Sequence, residues 1–470
     1  MMLIAQTNPT MNLPIATIQK ARITRDPRFD GLFFVAVKTT GIFCRPICRA
    51  RMPLEKNVDY YASAIQAMDQ GFRPCLMCRP DSAPGSFAWK GVETTVERGV
   101  KLLSSRLSLN IAEISEKLGI STRYFNRLFE QHLQISPKRY QLLNRLLFAK
   151  QLLHESTLPI EQVAHACGFN AAKPLQHHMK VNTGLTPSQI RRANSFKGGN
   201  EGSEIIVYLS YRPPYQWSHI QAFFKLREIH SNEFVDDSSI SKVIKVGGQN
   251  VLFKALHQAE QNRFEVSFLL NDLSVLKGSI GVVKKMLDLS CDPHAIASSL
   301  KQSGMPESML RSGIRLPGIN DRFEAGCRAI VGQQITVKAA IGQLNLLQNT
   351  LAIRANPDDL IAFVSPAKVA GADLSFLKMP NARKATLKAF AEFMTQKPNA
   401  SIEEWLTIKG IGAWTVNYVN MRHSDNPDVF LATDLVVKNK LKKLAEQQVN
   451  IDADTAAPWR SYLTLNLWDL

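Results

Sequence analysis

The chain has 470 residues, 45% of them hydrophobic, and a formal net charge of +17 at pH 7. Its length exceeds that of a single domain, since domains usually hold about 100–200 residues, and predicts three or four of them. The charge favours a polyanionic partner, and the absence of any run of roughly 18 apolar residues argues against a membrane-spanning protein.

The basic charge is concentrated in the first part of the chain. Residues 1–200 contain 27 Lys and Arg against 13 Asp and Glu, whereas residues 201–470 contain 30 against 27. The first part therefore has the composition of an electrostatic nucleic-acid binder. Any DNA affinity of the second part has to come from local geometry.

The N-terminal sequence MMLIAQTNPTMNLP lacks a basic flank followed by a long apolar run, so we expect no signal peptide and a cytoplasmic location. Thiols stay reduced there, and the seven cysteines then indicate metal binding or reactivity. Four of them form two close pairs, Cys44 with Cys48 and Cys75 with Cys78. Two such pairs can supply the four thiolates of a tetrahedral Zn²⁺ site.

A zinc site of this spacing is most often purely structural, which remains one alternative. The surrounding residues favour a functional site instead, because arginines flank the cysteines and suit a site that approaches a phosphate. These arginines are Arg45, Arg49, Arg51, Arg73 and Arg79.

The segments TTGIFCRPICRAR (39–51) and GFRPCLMC (71–78) resemble the N-terminal domain of the Ada adaptive-response proteins, and we assign residues 1–90 to such a domain. The resemblance implies that Cys44 accepts a methyl group from a DNA methylphosphotriester in a stoichiometric reaction. Loss of one negative charge would then raise DNA affinity. We expect Thr40, Arg45 and Arg73 to contact DNA.

Residues 91–195 predict helices, and they contain an internal repeat. ISEKLGIS (114–121) and VAHACGFN (163–170) match, with Gly119 and Gly168 at the same position. A short helix, a glycine turn and a second helix, occurring twice, indicate a tandem helix-turn-helix. The alternative is a plain helical bundle with a solvated polar face.

In the first repeat, residues 111–118 are the predicted support helix, and Ser121 caps a recognition helix over about 122–131. Its exposed side is expected to contact DNA through Arg123, Tyr124, Asn126 and Arg127. Its other side is expected to enter the core through Phe125, Leu128 and Phe129.

The stretch 95–193 resembles the AraC/XylS-type DNA-binding domain, most closely in STRYFNRLFEQHLQISPKRY (121–140). In the second repeat, Leu175 and Met179 stand where that family usually has aromatic residues, and Pro174 fits only the first turn of a helix. We therefore expect sequence-specific contacts with DNA bases from the first repeat more than from the second.

The Gly-rich, polar residues 196–204 predict a linker. Beyond it, strand patterns at 205–211, 241–248 and 263–270, with a helix over 217–230, indicate a small α/β subdomain at 205–291. Residues 292–470 are predicted to be helical. The fold class is therefore multidomain and mainly α with α+β parts.

The segment LTIKGIGAWTVNYVNMR (406–422) places Gly410 and Gly412 between two helical stretches. Glycines let backbone N–H groups approach a phosphate, and a helix beginning near residue 413 adds its positive end. We interpret the segment as a helix-hairpin-helix that grips DNA without reading its sequence.

Asp434, in VFLATDLVVKNKL (429–441), could be no more than a helix N-cap. With the hairpin, however, residues 205–470 resemble the helix-hairpin-helix glycosylases of the 3-methyladenine type, the AlkA group. YLSYRPPYQW (208–217), RLPGINDRFEAGCRAIVGQQIT (315–336) and WRSYLTLNLW (459–468) support the resemblance. It implies that Asp434 is the catalytic carboxylate and that 292–470 is the glycosylase domain.

Electron-rich rings suit a cationic alkylated base, so Trp414 and Tyr418 are the first candidates for the base pocket, with ordinary core packing as the alternative. Tyr211, Tyr215 and Trp217 are further candidates. Gln334 matches the position that fills the gap left by a flipped base, although some relatives have Leu there.

The resemblance also sets limits on the chemistry. Bifunctional relatives place a Lys where this chain has Trp414, so we expect no lyase step. Neither an iron–sulfur loop nor a Pro-Cys-His-Arg methyltransferase site is found in the sequence.

The leading hypothesis is a transcriptional activator fused to a monofunctional glycosylase, acting as a monomer on double-stranded DNA and with RNA polymerase. One alternative is a regulator whose glycosylase domain is a non-catalytic DNA clamp. Another is a zinc-containing structural DNA-binding protein without methyl transfer.

Overall fold

The structure of the chain is a computed structural model that describes residues 13–26, 29–78, 80, 94–105, 109–192, 204–354, 356, 359–424 and 426–469. The chain divides into two compact units. The first comprises residues 1–200 and 272–278, and the second comprises residues 201–271 and 279–470. Among the described residues, no helix is both long and apolar enough to cross a membrane.

The first unit begins with a helix and a four-stranded sheet in the order β3-β1-β2-β4. Strand β1 pairs antiparallel with β2 and β3, whereas β2 and β4 pair in parallel. The elements are α1 (Ile15–Thr24), β1 (Phe34–Val37), β2 (Ile42–Cys44), β3 (Val58–Tyr61), α2 (Ala64–Asp69) and β4 (Arg73–Pro74).

The rest of the first unit is helical, as the sequence predicts. Its helices are α3 (Thr94–Ser105), α4 (Ile111–Leu118), α5 (Thr122–Leu133), α6 (Pro137–Glu155), α7 (Ile160–Ala166), α8 (Ala172–Thr183) and α9 (Pro187–Arg192).

The helix-turn-helix prediction is confirmed in both repeats by α4–α5 and α7–α8. Helix α4 starts in a capping box of Asn110 and Glu113 and ends at Gly119, whose φ of 69° is left-handed. Gly168 takes the same role after α7, with φ 77°. The Ser121 side chain caps α5, which extends two residues beyond its predicted end.

One hydrophobic core joins the sheet to the first helix-turn-helix. Phe34 and Phe43 from the strands belong to the same buried cluster as Phe125 and Phe129 from α5. On the surface, Arg139 Nε of α6 lies 3.0 Å from an Asp69 carboxylate oxygen of α2. The predicted domains 1–90 and 91–195 therefore share packing in the described residues.

The second unit opens with a five-stranded antiparallel sheet in the order β5-β9-β8-β7-β6. The three predicted strands are present, and β6 and β8 are added to them. The strands are β5 (Glu204–Ser210), β6 (Glu233–Val235), β7 (Ser239–Val246), β8 (Gln249–Gln258) and β9 (Arg263–Leu269). Of the predicted linker 196–204, residues 196–203 lie outside the described residues, and Glu204 already belongs to β5.

Helices of the second unit build two hydrophobic cores, one that contains Phe323, Phe390 and Trp405 and another that contains Val437 and Tyr462. Helix α10 (Trp217–Leu226) lies between β5 and β6, and α11 (Leu276–Met286) begins in the first unit and continues in the second. The helices after it are α12 (Pro293–Gln302), α13 (Arg322–Val331), α14 (Val337–Leu351), α15 (Pro366–Gly371), α16 (Asn381–Gln396), α17 (Ala413–His423), α18 (Leu435–Glu446) and α19 (Arg460–Asp469).

A buried ionic network ties α13 to the sheet. Lys242 Nζ lies 2.6 Å from Glu233 and 2.8 Å from Glu324, and Arg328 contacts the same two carboxylates. Each buried charge thus has opposite partners, which offsets its desolvation. The network fixes α13, whose Arg328 also lines the cavity described below.

Candidate functional site

The four predicted cysteines converge at one end of the first unit's sheet. Pairing of β2 with β4 brings the Cys44 and Cys75 segments side by side, and the four sulfur atoms lie within 4.8 Å of one another. A tetrahedral zinc with Zn–S bonds of about 2.3 Å needs sulfurs about 3.8 Å apart. The donor set and its spacing therefore fit zinc.

The crowded thiols interact strongly with one another. Hydrogen bonds, first of all that with Cys44, lower the pKa of Cys48 to about 7. Hydrogen bonds with the other three thiols, led by Cys48, raise the pKa of Cys44. Four thiolates at this distance need a cation among them, which a soft divalent metal provides. Cys48 and Cys75 are buried, whereas Cys44 and Cys78 are partly exposed.

Of the residues around this cluster expected to contact DNA, Arg45 requires a correction. Its side chain is only 6% exposed and forms an ion pair with the buried Asp30. The guanidinium is therefore engaged inside the fold and does not face a phosphate. Thr40 is exposed between β1 and β2, and Arg73 is partly exposed on β4.

Helix α5 presents the predicted polar side. Arg123, Tyr124 and Arg127 are exposed, and the Arg127 guanidinium lies 5.1 Å from the centre of the Tyr124 ring. Asn126 is half-buried, and its amide donates to the Thr122 carbonyl oxygen over 2.8 Å, so part of its hydrogen-bonding capacity is used within the helix. The predicted core residues Phe125, Leu128 and Phe129 are all buried.

In the second repeat, Leu175 and Met179 are fully buried and fill the core in place of aromatic rings. Pro174 lies in the first turn of α8, the position where proline is tolerated. The exposed side of α8 still carries polar groups, among them Gln176, His177 and Lys180.

In the second unit, the predicted hairpin connects a 3₁₀ helix (Glu403–Thr407) to α17. Gly410 has φ +93°, and a Cβ there would lie 2.1 Å from Thr386 Oγ1, which accounts for glycine at this turn. Gly412 differs, because its backbone is extended and a Cβ would meet nothing within 4 Å. The open space beside Gly412 is where a DNA backbone could approach closely.

The two hairpin glycines therefore predict different outcomes. Gly410→Ala is expected to destabilise the protein by about 1–3 kcal/mol, because alanine is strained at this φ and overlaps Thr386. Gly412→Ala is expected to leave stability unchanged and to weaken DNA binding. Urea unfolding and DNA titrations of both variants test this pair. Equal loss of stability in the two would contradict the distinction.

Asp434 is held by four N–H donors at the start of α18. Its Oδ1 accepts from the backbone of Val436 and Val437 at 3.0 and 3.2 Å, which makes it an N-cap. The indole N–H of Trp468 donates to the same oxygen over 3.2 Å, and that of Trp414 donates to Oδ2 over 3.0 Å. The carboxylate is thus both a helix cap and a fixed charge.

This carboxylate lines a cavity of about 740 Å³. Trp414 and Tyr418 also line it, and their rings stack with centres 5.3 Å apart at 19°. Burial by itself raises the pKa of Tyr418, but Arg422, Arg227 and Arg328 outweigh that effect and lower it. Arg422 donates to the Tyr418 hydroxyl oxygen over 2.8 Å.

Three predicted pocket residues do not line the cavity. The rings of Tyr211, Tyr215 and Trp217 pack around His257 and Phe264. Their polar atoms bond within that cluster or to nearby carbonyls: Tyr211 to His257, Tyr215 to Leu287 and Trp217 to Asp237. They support the α10–sheet packing, and the pocket assignment is corrected accordingly.

Gln334 is exposed on the turn before α14, with a left-handed φ of 56°. It does not line the cavity. The neighbouring Gln333 amide donates to the Gly410 carbonyl over 3.0 Å and to Thr415 Oγ1 over 3.2 Å, which ties this turn to the hairpin.

Several residues that line the cavity are not predicted from the sequence. In the sequence, Trp468 belongs only to the segment 459–468 that resembles the glycosylases, and its contact with Asp434 depends on the packing of α19 against α18. Phe223 lies in α10 and Arg227 directly follows the helix, and their four-residue spacing places them on one face. That helical spacing, read together with the Asp434 assignment, is the signal that could have found them.

Three family models match the chain. Residues 17–81 match the metal-binding domain of Ada, residues 114–193 a helix-turn-helix domain, and residues 206–321 the AlkA N-terminal domain.

Similar proteins cover the whole chain or its parts. A Mycobacterium tuberculosis protein described as a probable bifunctional transcriptional activator/DNA repair enzyme AlkA is 27% identical over 95% of this chain and 94% of its own. Escherichia coli DNA-3-methyladenine glycosylase 2 is 29% identical over 55% of this chain and 95% of its own. The Bacillus subtilis bifunctional transcriptional activator/DNA repair enzyme AdaA is 30% identical over 39% of this chain and 86% of its own.

Proposed function

We propose that this chain, which belongs to the Ada-type bifunctional transcriptional activators and DNA repair enzymes, senses alkylated DNA and, through its AlkA-like second unit, excises alkylated bases such as 3-methyladenine. The observation that carries the excision activity is the Asp434 carboxylate, fixed by two indole N–H groups on the wall of a cavity that Trp414 and Tyr418 also line.

Asp434 acts on the deoxyribose of a flipped nucleotide. Cleavage of the N-glycosidic bond sends the bonding electrons to the base and leaves positive charge on the sugar, which a fixed carboxylate stabilises. Four N–H donors occupy most of the carboxylate's lone pairs, which favours charge stabilisation over proton abstraction from water. Water then adds at the sugar carbon and yields an abasic site.

The stacked Trp414 and Tyr418 rings provide the surface for the departing base. An alkylated purine such as 3-methyladenine is positively charged in DNA, so an aromatic face attracts it through stacking and cation–π contact. The same charge makes the base a good leaving group, so that little acid assistance is required.

A base-release assay tests this function. The purified full chain should liberate methylated bases from alkylated duplex DNA and leave intact abasic sites that are cut only by alkali or a separate lyase. Because Trp414 stands where lyase-type relatives have Lys, no protein–DNA adduct should form with borohydride. Absence of base release would favour the non-catalytic clamp, and a trapped adduct would reveal an amine nucleophile.

In the first unit, Cys44, Cys48, Cys75 and Cys78 hold zinc, whose positive charge keeps their sulfurs as thiolates. We propose Cys44 as the methyl acceptor, and its partial exposure supports this role. Its sulfur attacks the methyl carbon of a methylphosphotriester, an S–C bond forms, the C–O bond breaks, and the phosphodiester anion leaves. The resulting thioether does not release the methyl group, so each chain reacts once.

Methylation of Cys44 should strengthen promoter binding, because a negative charge near the DNA phosphates disappears. A tenfold gain in affinity corresponds to about 1.4 kcal/mol. Mass spectrometry of the protein after incubation with methylated DNA should locate one methyl group on Cys44, and titrations at matched salt should show the gain. A methyl group on another cysteine, or equal affinities, would contradict this assignment.

The chain binds DNA, and we assign the contacts as follows. Arg123, Tyr124 and Arg127 on α5 contact promoter DNA. Asn126 adds the hydrogen-bonding groups that its bond to the Thr122 carbonyl leaves free. Thr40 and Arg73 adjoin the methylated phosphate. The hairpin residues Gly410 and Gly412 hold damaged DNA, and Gln334 fills the gap of the flipped nucleotide.

An activator of transcription has to work with RNA polymerase on promoter DNA, and we propose that polymerase is its protein partner. The paired helix-turn-helix units supply two reading helices in one chain, so a monomer suffices. Because its substrates are genomic DNA and promoters, we place the protein in the cytoplasm with the nucleoid.

A further inference from the structure

The turn between the last two zinc ligands carries an apolar surface that metal binding does not use. This turn, the knuckle, comprises Cys75, Leu76, Met77 and Cys78. Leu76 is 45% exposed and Met77 is 67% exposed. Single exposed apolar residues are common on protein surfaces, but here two adjacent ones stand on the turn that holds two of the four sulfurs. A contact with a partner at the metal centre would remove both from water.

Two backbone hydrogen bonds fix the knuckle beside the acceptor cysteine. The Cys75 N–H donates to the Phe43 carbonyl oxygen over 2.9 Å, and the Arg45 N–H donates to the Cys78 sulfur over 3.3 Å. The residues on both sides of Cys44 are thus bonded to the two ends of the knuckle. The apolar residues between those ends therefore flank the Cys44 sulfur, which is partly exposed.

The group that Cys44 is proposed to attack differs from ordinary DNA backbone in charge and polarity. An unmodified phosphodiester is an anion, whereas a methylphosphotriester is neutral and bears a methyl group. Stripping water from an anion at an apolar surface costs free energy, and a neutral triester avoids most of that cost. Its methyl carbon also gains free energy when it leaves water for an apolar contact.

We propose that Leu76 and Met77 determine the specificity of methyl transfer, because they form an apolar contact that admits a neutral methylphosphotriester to Cys44 and disfavours an anionic phosphodiester. This inference rests on the proposed methyl transfer and specifies how its substrate is selected. Arg73, partly exposed two residues before the knuckle, is placed to hold a neighbouring anionic phosphate.

A neutral linkage that cannot donate a methyl group tests this contact separately from the transfer. In a methylphosphonate the methyl carbon is bonded to phosphorus, so the linkage is uncharged and does not alkylate a thiolate. The zinc-loaded full chain is titrated with a short duplex that contains one methylphosphonate and with the same duplex of unmodified phosphodiesters. At matched salt, we expect the wild-type protein to prefer the methylphosphonate duplex by about tenfold.

Leu76→Asn and Met77→Gln replace an apolar side chain by a polar one of similar shape, and each should reduce that preference to about threefold or less. Leu54→Asn is the matched control, because Leu54 is 64% exposed in the same unit and lies outside the knuckle. It should keep the full preference, and all these variants should retain the zinc content of the wild type. Equal binding of the two duplexes by the wild type, or an unchanged preference in the knuckle variants, would overturn the proposal.

The rate of methyl transfer gives a second readout. With a duplex that contains one methylphosphotriester, mass spectrometry follows the methylation of Cys44 over time. At subsaturating DNA, each knuckle variant should react about tenfold more slowly, and at saturating DNA the loss should be smaller, because the contact acts in binding the triester. A rate reduced equally at all DNA concentrations would contradict a role in substrate selection.

Failure of the contact and failure of the transfer give different results. A preference for methylphosphonate DNA without any methyl group on Cys44 would leave the knuckle contact in place and remove the methyl transfer. Methylation of Cys44 without the preference would do the reverse.

Discussion

The Asp434→Asn variant is expected to release methylated bases about 100- to 1,000-fold more slowly than the wild-type protein. The substitution removes the negative charge beside the sugar while it preserves the shape of the side chain. Asparagine caps helices about as well as aspartate, so the bonds from Val436 and Val437 to Oδ1 should persist and α18 should remain folded.

Single-turnover assays on methylated duplex DNA, with the released bases quantified, measure this effect. Binding of the variant to abasic-site DNA should stay close to that of the wild type. Asp292→Asn is the matched control, since Asp292 also caps a helix through two backbone N–H groups and does not line the cavity. A fully active Asp434→Asn protein would show that Asp434 is only a helix cap.

The second large effect is expected from Cys75→Ser, which should reduce bound zinc from about one per chain to nearly none. Structural zinc sites contribute apparent binding free energies on the order of 10–16 kcal/mol, because the metal orders the chain around it. Three remaining thiols and a hydroxyl bind zinc far more weakly. Methyl transfer to Cys44 should be lost with the metal.

Metal analysis of protein purified without chelator, together with circular dichroism, tests the prediction. Cys167→Ser is the control, because Cys167 is a buried cysteine of the same unit outside the cluster and should leave zinc content unchanged. Full zinc occupancy in Cys75→Ser would mean that the cluster is not the metal site.

Local sequence signals predicted the first unit well, because its features repeat or lie close together in the chain. Gly119 and Gly168 marked both helix-turn-helix units, and the cysteine spacing marked the cluster. Arg45 was misassigned for a physical reason: its partner Asp30 lies 15 residues away, and only the fold shows that the pair is buried.

In the second unit, too, contacts between residues distant in sequence could not be predicted. Trp414 and Tyr418 are one helical turn apart, so their shared position was predictable. Tyr211, Tyr215 and Trp217 are aromatic residues in a segment that resembles the glycosylases. Their rings nevertheless pack against His257 and Phe264 and do not line the cavity. Trp468 reaches Asp434 only through the packing of α19, and contacts between residues distant in sequence leave no periodic pattern to read.

The hydrophobic core that Phe34 and Phe43 share with Phe125 and Phe129 also bears on how such proteins can be rearranged in evolution. A break near residue 90 would leave apolar surface exposed on both fragments, because the zinc-bearing sheet and the first helix-turn-helix would each lose the partner with which they share a hydrophobic core. Recombination at that point would yield two poorly folded pieces. The zinc-bearing sheet and the first helix-turn-helix are therefore expected to be inherited, exchanged and lost together as one module.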